Sequence, residues 1–403
     1  MDIEEKIALV QRPPTEEIVT LNELRTLFET RASPKHYIGL EISGKLHLGS
    51  LIIPGFKIND FIKAGIQSNV FLADWHTYIN NKLNNDWTLI DKISQYYEKA
   101  FKFFCPGVNI IYGSDLYEET DNYWKNFIIF SKQITLARTL RSLTIMGRTE
   151  KDTLDFSQLL YPSMQSVDIK ALDLDIVHAG TDQRKIHMLV REVFPKLNWK
   201  VPVSVHHHIL PGLSEPTLFN SSSPTTTNAT SIPSKVPLNR ATSGISSMTP
   251  SDDNALSAST ITNELLPSFE SLNINNNYND NFDDHRIFNK MSKSNPLSSI
   301  LIHDNEQEIS YKINKAYCPL GVLKDNPILE IMEYIIFHQY DEIIVERPSK
   351  YGGNISYDSI DQIKLDYEQK KIHPKDLKLT TSRYLDKILS PIRSHLQNNI
   401  VQF

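Results

Sequence analysis

Tyr37-Ile38-Gly39-Leu40-Glu41-Ile42-Ser43-Gly44-Lys45-Leu46-His47-Leu48-Gly49-Ser50 reads as a buried strand running into a glycine-punctuated turn and then a helix. Tyr37, Ile38, Leu40 and Ile42 favour extended chain, Gly44 and Gly49 interrupt it, and an amphipathic run opens at Leu51. In an α/β sheet, such a turn opens a crevice at the carboxyl end of the strand. Glycines there let backbone approach a nucleotide, and the helix N-terminus favours negative charge. The spacings of the two commoner nucleotide loops, G-x-x-x-x-G-K-S/T and G-x-G-x-x-G, are absent. By itself His47-Leu48-Gly49-Ser50 is an ordinary turn. A complete Lys290-Met291-Ser292-Lys293-Ser294 near the other end of the chain gives it weight.

Outward from this turn, short apolar runs at 70–74, 108–112, 175–179 and 201–205 alternate with helical stretches. Among the latter are 51–64, ended by Gly65, and 87–104. That alternation predicts a doubly wound parallel sheet of Rossmann-like α/β type. Asp74-Trp75-His76 places polar groups at a strand end, where a crevice would lie, although His76 alone reads as structural. The stretch 161–168 carries Tyr161, Gln165 and Asp168 on one helical face among apolar neighbours. Such polar groups must bond to one another or to a polar ligand. Residues 175–185 repeat the strand, glycine turn and polar cluster through Gly180, Asp182 and Gln183. His206-His207-His208 reads as a strand end, because consecutive side chains of an extended chain cannot converge on one metal.

Residues 1–31 read as peripheral and helical, with a turn and helix start at Pro13-Pro14-Thr15-Glu16-Glu17 and a helix over 21–30. Residues 121–148 read as one long helical region with Arg138, Arg141 and Arg148, either a solvated face or phosphate contacts. Asn326-Pro327 reads as a capped helix start, 343–346 and 354–357 as a hairpin across Tyr351-Gly352-Gly353. Helices follow over 359–370 and 374–389, with a separate last stretch after Pro391. Lys375, Lys378, Arg383, Lys387 and Arg393 make this end locally basic.

The 403 residues suffice for two or three domains, and 40% hydrophobic with 22% charged residues is neither a disordered nor a membrane composition. A net charge of −6 argues against indiscriminate nucleic-acid binding but leaves room for a local basic face. Two distant cysteines, Cys105 and Cys318, give no disulfide framework. The N-terminus carries neither a signal core nor an Arg-rich transit pattern, and no apolar run reaches membrane-spanning length. The expected location is the cytoplasm. From Ser214 to Asp284, 34 of 71 residues are Ser, Thr or Asn, too polar to offset ordering entropy, so a disordered insertion is expected over 214–284.

Taken together, His47-Leu48-Gly49 and Lys290–Ser294 resemble the two signatures of class I aminoacyl-tRNA synthetases. Tyr161-Pro162-x-Met164-Gln165-x-x-Asp168, Gly180-x-Asp182-Gln183-Arg184-Lys185-Ile186 and Lys315-Ala316-Tyr317-Cys318-Pro319 resemble tyrosyl-tRNA synthetases of the archaeal and eukaryotic cytoplasmic type. The resemblance covers 37–213 and 286–396. It implies a catalytic domain of 1–213 plus 285–322 and a mainly helical anticodon-binding domain of 323–403. It also implies tyrosine activation with ATP and Mg²⁺, transfer to tRNA(Tyr), and a homodimer joined near 110–150.

Carried onto this sequence, Tyr37 and Asp168 would meet the phenol oxygen of L-tyrosine. Tyr161, Gln165 and Gln183 would hold its ammonium group and flank the ring. Gly39, His47 and Gly49 would contact ATP, with Asp182 on the ribose and Lys290 and Lys293 on the phosphates; no residue is assigned as a metal ligand. Arg141 and Arg184 would touch the acceptor end of the tRNA, and Tyr351, His373 and Asp376 the first anticodon base. Ser50 departs from the pattern, standing where a second His is common, as does Ile42, where Pro is common. The competing readings are a tryptophanyl-tRNA synthetase and a non-catalytic RNA-binding paralogue.

Overall fold

The computed structural model describes residues 1–148, 152–216, 291 and 296–397. Six strands form one sheet: β1 (Thr15–Val19), β2 (Lys35–Leu40), β3 (Gln67–Leu72), β4 (Asn109–Tyr112), β5 (Ile176–Gly180) and β6 (Val203–His207). Their spatial order is β1-β6-β5-β2-β3-β4, parallel throughout except for β1, which runs antiparallel to β6. From β2 the chain steps outward to β3 and β4, then returns to lay β5 and β6 on the other side. The order therefore reverses between β2 and β5, which pair through Tyr37 and Val177. Ligands of open α/β sheets bind in the crevice at that reversal, and the stretch 37–50 leads out of it.

The helix Ile53–Lys63 returns the chain from β2 to β3. It ends at Ala64, followed by Gly65 at φ +84°, as the sequence predicts. Trp87–Phe104 does the same between β3 and β4, with Asp86 accepting from the N–H groups of Thr88 and Leu89. Ile38, Val70, Leu72, Ile93 and Phe101 make the core beneath this half of the sheet. Ile309, Ile335, Leu385 and Leu396 from the C-terminal helices continue the same core. Asn326 caps its helix as expected, accepting from Ile328 and Leu329. A small antiparallel hairpin, β7 (Ile343–Val345) with β8 (Ile355–Tyr357), also matches its prediction. Cys105 and Cys318 are both free and buried.

Three expectations are corrected. Residues 15–19 are strand β1, not a helix start, because they pair with the edge of β6. The true cap is Thr20, which forms a reciprocal capping box with Glu23 for Leu21–Thr30. The region 121–148 is not one helix but Tyr123–Ser131, Leu136–Ser142 and a 3₁₀ turn Leu143–Met146, since Thr135 caps a fresh start. Pro391 does not split the last helix. Pro374–Gln397 is continuous, with Leu389, Ile392 and Leu396 still buried.

No helix among the described residues is long and apolar enough to cross a membrane. The expected disorder of 214–284 falls almost wholly outside the described residues, as do Lys290, Ser292, Lys293 and Ser294.

Candidate active site

A cavity of about 580 Å³ opens at the β2–β5 reversal. Tyr37, Gly39, His47, Gly49, Tyr161, Gln165, Asp168, Asp182 and Gln183 all line it, so nine predicted residues from three separate stretches meet in one place. Met291, from the second signature, lines it too and donates its N–H to the Leu210 carbonyl at 2.9 Å.

At one end stands Asp168, on the helix Tyr161–Ala171 and 1% exposed. Burial pushes its pKa well above the usual carboxylate range, against the opposing effect of the hydroxyls that bond it. Tyr123 donates to Asp168 Oδ1 at 2.6 Å, while Oδ2 lies 3.6 Å from His76 Nε2. Tyr117 meets the other ring nitrogen of His76 at 3.3 Å. Burial holds the His76 pKa down at about 3, so its ring is neutral. Burial, then the Asp168 charge, pushes the Tyr37 hydroxyl up, so it stays protonated. Gly39 lies beside this floor, where an added Cβ would come 3.5 Å from the Tyr37 ring.

Next to this end lies an amide relay. Gln165 Nε2 donates to Gln183 Oε1 at 3.3 Å, and Gln183 Nε2 donates to the Ile145 carbonyl at 2.7 Å. Gln165 Oε1 is left buried with no partner. Glu41, just past the end of β2, also lines the cavity. Its carboxylate accepts from Asn80 Nδ2 at 2.6 Å and lies 3.7 Å from Lys82 Nζ.

At the opposite end the turn 47–50 has a definite internal logic. The Gly49 N–H donates to His47 Nδ1 at 3.1 Å, which puts the ring proton of His47 on Nε2. A Cβ on Gly49 would lie 3.2 Å from His47 Cε1 and displace the ring. Ser50 Oγ accepts the His47 N–H at 2.8 Å and donates to the His47 carbonyl at 3.2 Å. The position that departs from the family pattern thus holds the turn together. The turn rests on the chain that follows the second signature: Leu48 N–H donates to the Ile300 carbonyl, and Ile302 N–H to that of Leu46.

The histidines of β6 separate by environment. His207 is buried against His178 at 2.8 Å and held neutral, its pKa pushed down to about 3 by burial. His206 bonds Glu17 at 2.8 Å, and the same carboxylate receives Arg184 Nε and Nη2. That pairing, His206 first, draws the Glu17 pKa down to about 2. His208, on the cavity rim, bridges Glu16 and Glu330 and stacks on Tyr334 at 4.0 Å. Burial opposes its charge, but the two carboxylates raise its pKa to about 9. Among the described residues no group of three or more His, Cys, Asp or Glu could hold a metal ion.

The remaining predicted residues lie outside the cavity. Arg141 is exposed at the end of Leu136–Ser142, and Arg184 is engaged by Glu17. Tyr351 is 61% exposed in the hairpin turn, with His373 and Asp376 at the start of Pro374–Gln397. Arg347 ties these two elements together by donating to the Gly353 and Lys371 carbonyls. The basic C-terminal face is partly neutralised, since Arg383 pairs with Glu346 and Arg393 with Asp386. Sequence reasoning passes over Glu41, Lys82, Tyr117 and Tyr123. Only Glu41 carries a signal, being the first polar residue after the strand.

The sequence profile of the tRNA synthetases class I (W and Y) matches residues 29–235 and 286–390. A tyrosine–tRNA ligase of Thermococcus sibiricus is 37% identical, covering 99% of this chain and 96% of the relative. One of Pyrococcus furiosus is 38% identical over the same shares. The crystal structure of a Pyrococcus horikoshii tyrosyl-tRNA synthetase complexed with L-tyrosine matches with a TM-score of 0.79 and 37% identity, covering 99% of this chain and 97% of that one. Both signatures, the reversed sheet and full-length likeness to ligases of one amino acid agree: the chain belongs to the class I tRNA synthetases for tryptophan and tyrosine, among the tyrosyl-tRNA synthetases of archaeal type.

Proposed function

We propose that the chain condenses L-tyrosine with ATP to tyrosyl-adenylate and pyrophosphate, then transfers tyrosine to the terminal ribose of tRNA(Tyr). The observation that carries this reading is the buried carboxyl of Asp168, bonded on one oxygen by Tyr123 and lining a cavity with the Tyr37 hydroxyl. A phenol placed there satisfies both groups; a phenyl ring leaves both unpaired, at the cost that buried polar groups always carry. Gln165 Oε1, buried without a partner, suits an ammonium N–H, and Tyr161 lines the same wall.

The chemistry asks mainly for positioning and charge stabilisation. The tyrosine carboxylate attacks the α-phosphorus, and the α–β bridging oxygen leaves with pyrophosphate. His47 Nε2–H would donate to phosphate oxygens as geometry at phosphorus changes, while the N–H groups of the turn 47–50 hold the ring and the turn in place. Asp182 would take the ribose, and Gly39 would give room beside it. Lys290 and Lys293 would bring positive charge to the leaving pyrophosphate. Mg²⁺ would enter with ATP, held chiefly by its phosphates, and lower their charge.

The tRNA would lie with its acceptor end by Arg141 and Arg184 and its first anticodon base by Tyr351, His373 and Asp376. Arg184 would keep Glu17 as its orienting partner. Trp124, Ile128 and Leu136, exposed on two consecutive helices, support a homodimer joined through that region. The cytoplasm is the compartment that fits a translation enzyme of this family.

ATP–pyrophosphate exchange across a panel of amino acids tests the reading. Exchange should depend on tyrosine; equal exchange with tryptophan or phenylalanine, or none with any amino acid, would refute it.

A further inference from the structure

The segment after the helix Asp74–Ile79 has an unusual backbone. Asn81, Leu83, Asn84 and Asn85 adopt φ of 55°, 51°, 56° and 58°, a left-handed conformation that asparagine tolerates and leucine resists. Four such residues within five positions persist only where surroundings over-determine them. Here Lys82, which interrupts the run, is pinned on both sides. Its N–H donates to the Thr77 carbonyl at 3.1 Å, and its carbonyl accepts from Asn85 at 3.0 Å.

The brace extends further. Asn81 Nδ2 donates to Asp155 Oδ2 at 2.8 Å, and Asn85 Nδ2 to Asn81 Oδ1 at 2.9 Å. Leu83 packs against the main core. Asn80, fully buried, bonds Glu41, the Met146 carbonyl and Arg148 at once. All this structure holds one cation at the cavity wall, because Lys82 lines the cavity with its side chain 35% exposed.

Its place along the cavity is set by Glu41, 3.7 Å from Lys82 Nζ. Asn80 Nδ2 donates both to Glu41 at 2.6 Å and to the Met146 carbonyl at 3.1 Å, and the adjacent Ile145 carbonyl accepts from Gln183 at 2.7 Å, so the carboxylate lies beside the amide relay proposed for the ammonium of the bound amino acid. Glu41 follows β2 directly, between Tyr37 at the phenol end and His47 at the nucleotide end. Lys82 therefore sits where the amino acid's backbone groups must meet ATP.

We propose that Lys82 is a catalytic residue of the activation step, contacting the reacting carboxylate and the α-phosphate at their junction. The inference rests on the tyrosine-activation reading above. In that step a carboxylate oxygen forms the new bond to phosphorus, and the bond to the bridging oxygen breaks, its electron pair leaving on pyrophosphate. Lys82 transfers no proton. It opposes the negative charge that gathers on the non-bridging oxygens, and its fixed backbone means no reorganisation at the moment of reaction. Glu41 keeps the ammonium close to the substrate until ATP arrives.

The test compares wild type with Lys82→Met and Lys82→Arg in tyrosine-dependent ATP–pyrophosphate exchange, with tyrosine binding by calorimetry to count folded sites. Lys82→Met should lower kcat about 30- to 100-fold while tyrosine Kd stays within about threefold, and Lys82→Arg should recover most of the loss. A kcat within about threefold of wild type, or a loss seen only as weaker tyrosine binding, makes Lys82 no more than the counter-ion of Glu41 and overturns the proposal. If Lys82→Met does not fold, Lys82→Gln is held to the same criteria, and an inactive Lys82→Arg with normal tyrosine binding and melting also counts against it. Failure of wild type itself to exchange with tyrosine would instead refute the activity on which this rests.

Discussion

At the Asp168 end of the cavity, Tyr117, Tyr123, His76 and Asp168 are all buried and bonded or adjacent to one another, with the histidine neutral and burial opposing charge on the carboxyl. At the His47 end, a short turn is held by Ser50 and laid against residues 300–302, with the charged His208 at the rim. The contrast follows from what each end is proposed to recognise. Telling a phenol from a phenyl ring requires hydrogen-bonding groups that are fixed and have no water to fall back on. Binding a triphosphate whose charge shifts during reaction requires donors at a turn and cations that arrive with the nucleotide. Changes at the first end should therefore act on tyrosine, and changes at the second on ATP.

The largest effect should come from Asp168→Ala, which removes the acceptor while leaving Tyr37 and Tyr123 in place. Exchange kinetics should show kcat/KM for tyrosine falling by roughly 10³-fold or more with KM for ATP little changed. Tyrosyl-tRNA synthetases reject phenylalanine by roughly 10⁵-fold, which sets the upper scale of the effect. Near wild-type exchange in this variant would break the division between the two ends.

Next is the pH response of the nucleotide end. His208 has a folded pKa of about 9 against an ordinary 6.5, raised by Glu16 and Glu330. A raised value means that the folded form holds the proton more tightly than the unfolded chain. The stabilisation is therefore fully present below pH 6.5 and is lost as pH rises through about 9. Its scale is about 3–4 kcal/mol, since each tenfold gain in proton affinity is worth roughly 1.4 kcal/mol. Urea unfolding between pH 6.5 and 9.5 should show this decline, and His208→Asn should flatten it. Because Leu210, two residues on, receives the Met291 N–H, KM for ATP should rise over the same window before KM for tyrosine does.

Tyr123→Phe sharpens the comparison from inside the phenol end. The carboxyl of Asp168 loses its shortest hydrogen bond and stays buried, which costs about 1–3 kcal/mol of stability. Tyrosine kcat/KM should fall about tenfold with ATP unaffected. At the other end, Ser50→Ala removes the acceptor for the His47 N–H and should cost about 1 kcal/mol, the usual value of a lost cap. Its kinetic trace should be a few-fold higher KM for ATP alone. A tyrosine KM that moved as much as the ATP KM in Ser50→Ala would show that the two ends are not independent.

The sequence is legible where local pattern and tertiary demand agree. The stretch 37–50, the helix over 87–104, the capped start at Asn326, and the polar face of 161–168 each carry their own signal, and all lie where expected. Strand β1 escapes because Pro13-Pro14-Thr15-Glu16-Glu17 mimics a helix start, and only the edge of β6, nearly two hundred residues later, decides otherwise. Pro391 misleads for a related reason: a missing N–H is tolerated when the residues around it stay buried. Tyr123 leaves no trace beyond its place in an apolar stripe, since its task depends on Asp168 lying across the interior. Lys82 is hidden because an Asn-rich run signals a turn but not which way its lysine faces. Ser50 reads in sequence as the weak letter of its motif, yet its bonds to His47 show a turn that closes without the imidazole the pattern favours.

The smallest expected effect separates the cavity from the chain that interrupts it. The family profile passes from residue 235 to 286, so most of the Ser, Thr and Asn-rich segment has no counterpart in it. The chain on either side is already joined without that segment: Leu210 accepts from Met291, and Leu213 N–H donates to the Ser298 carbonyl at 3.0 Å. Tyr317 N–H donates back to the Leu213 carbonyl at 2.8 Å, closing the junction from the far side. A short Gly/Ser linker replacing 214–284 therefore spans a gap that backbone hydrogen bonds hold closed. Exchange and aminoacylation should stay within about twofold of wild type and the melting temperature should not fall, because the entropy of closing a loop grows only slowly with its length. A deletion that melts normally but loses tenfold or more in exchange, about 1.4 kcal/mol of activation free energy, would show that the segment acts on the nucleotide end. If aminoacylation alone is lost, it acts on the tRNA.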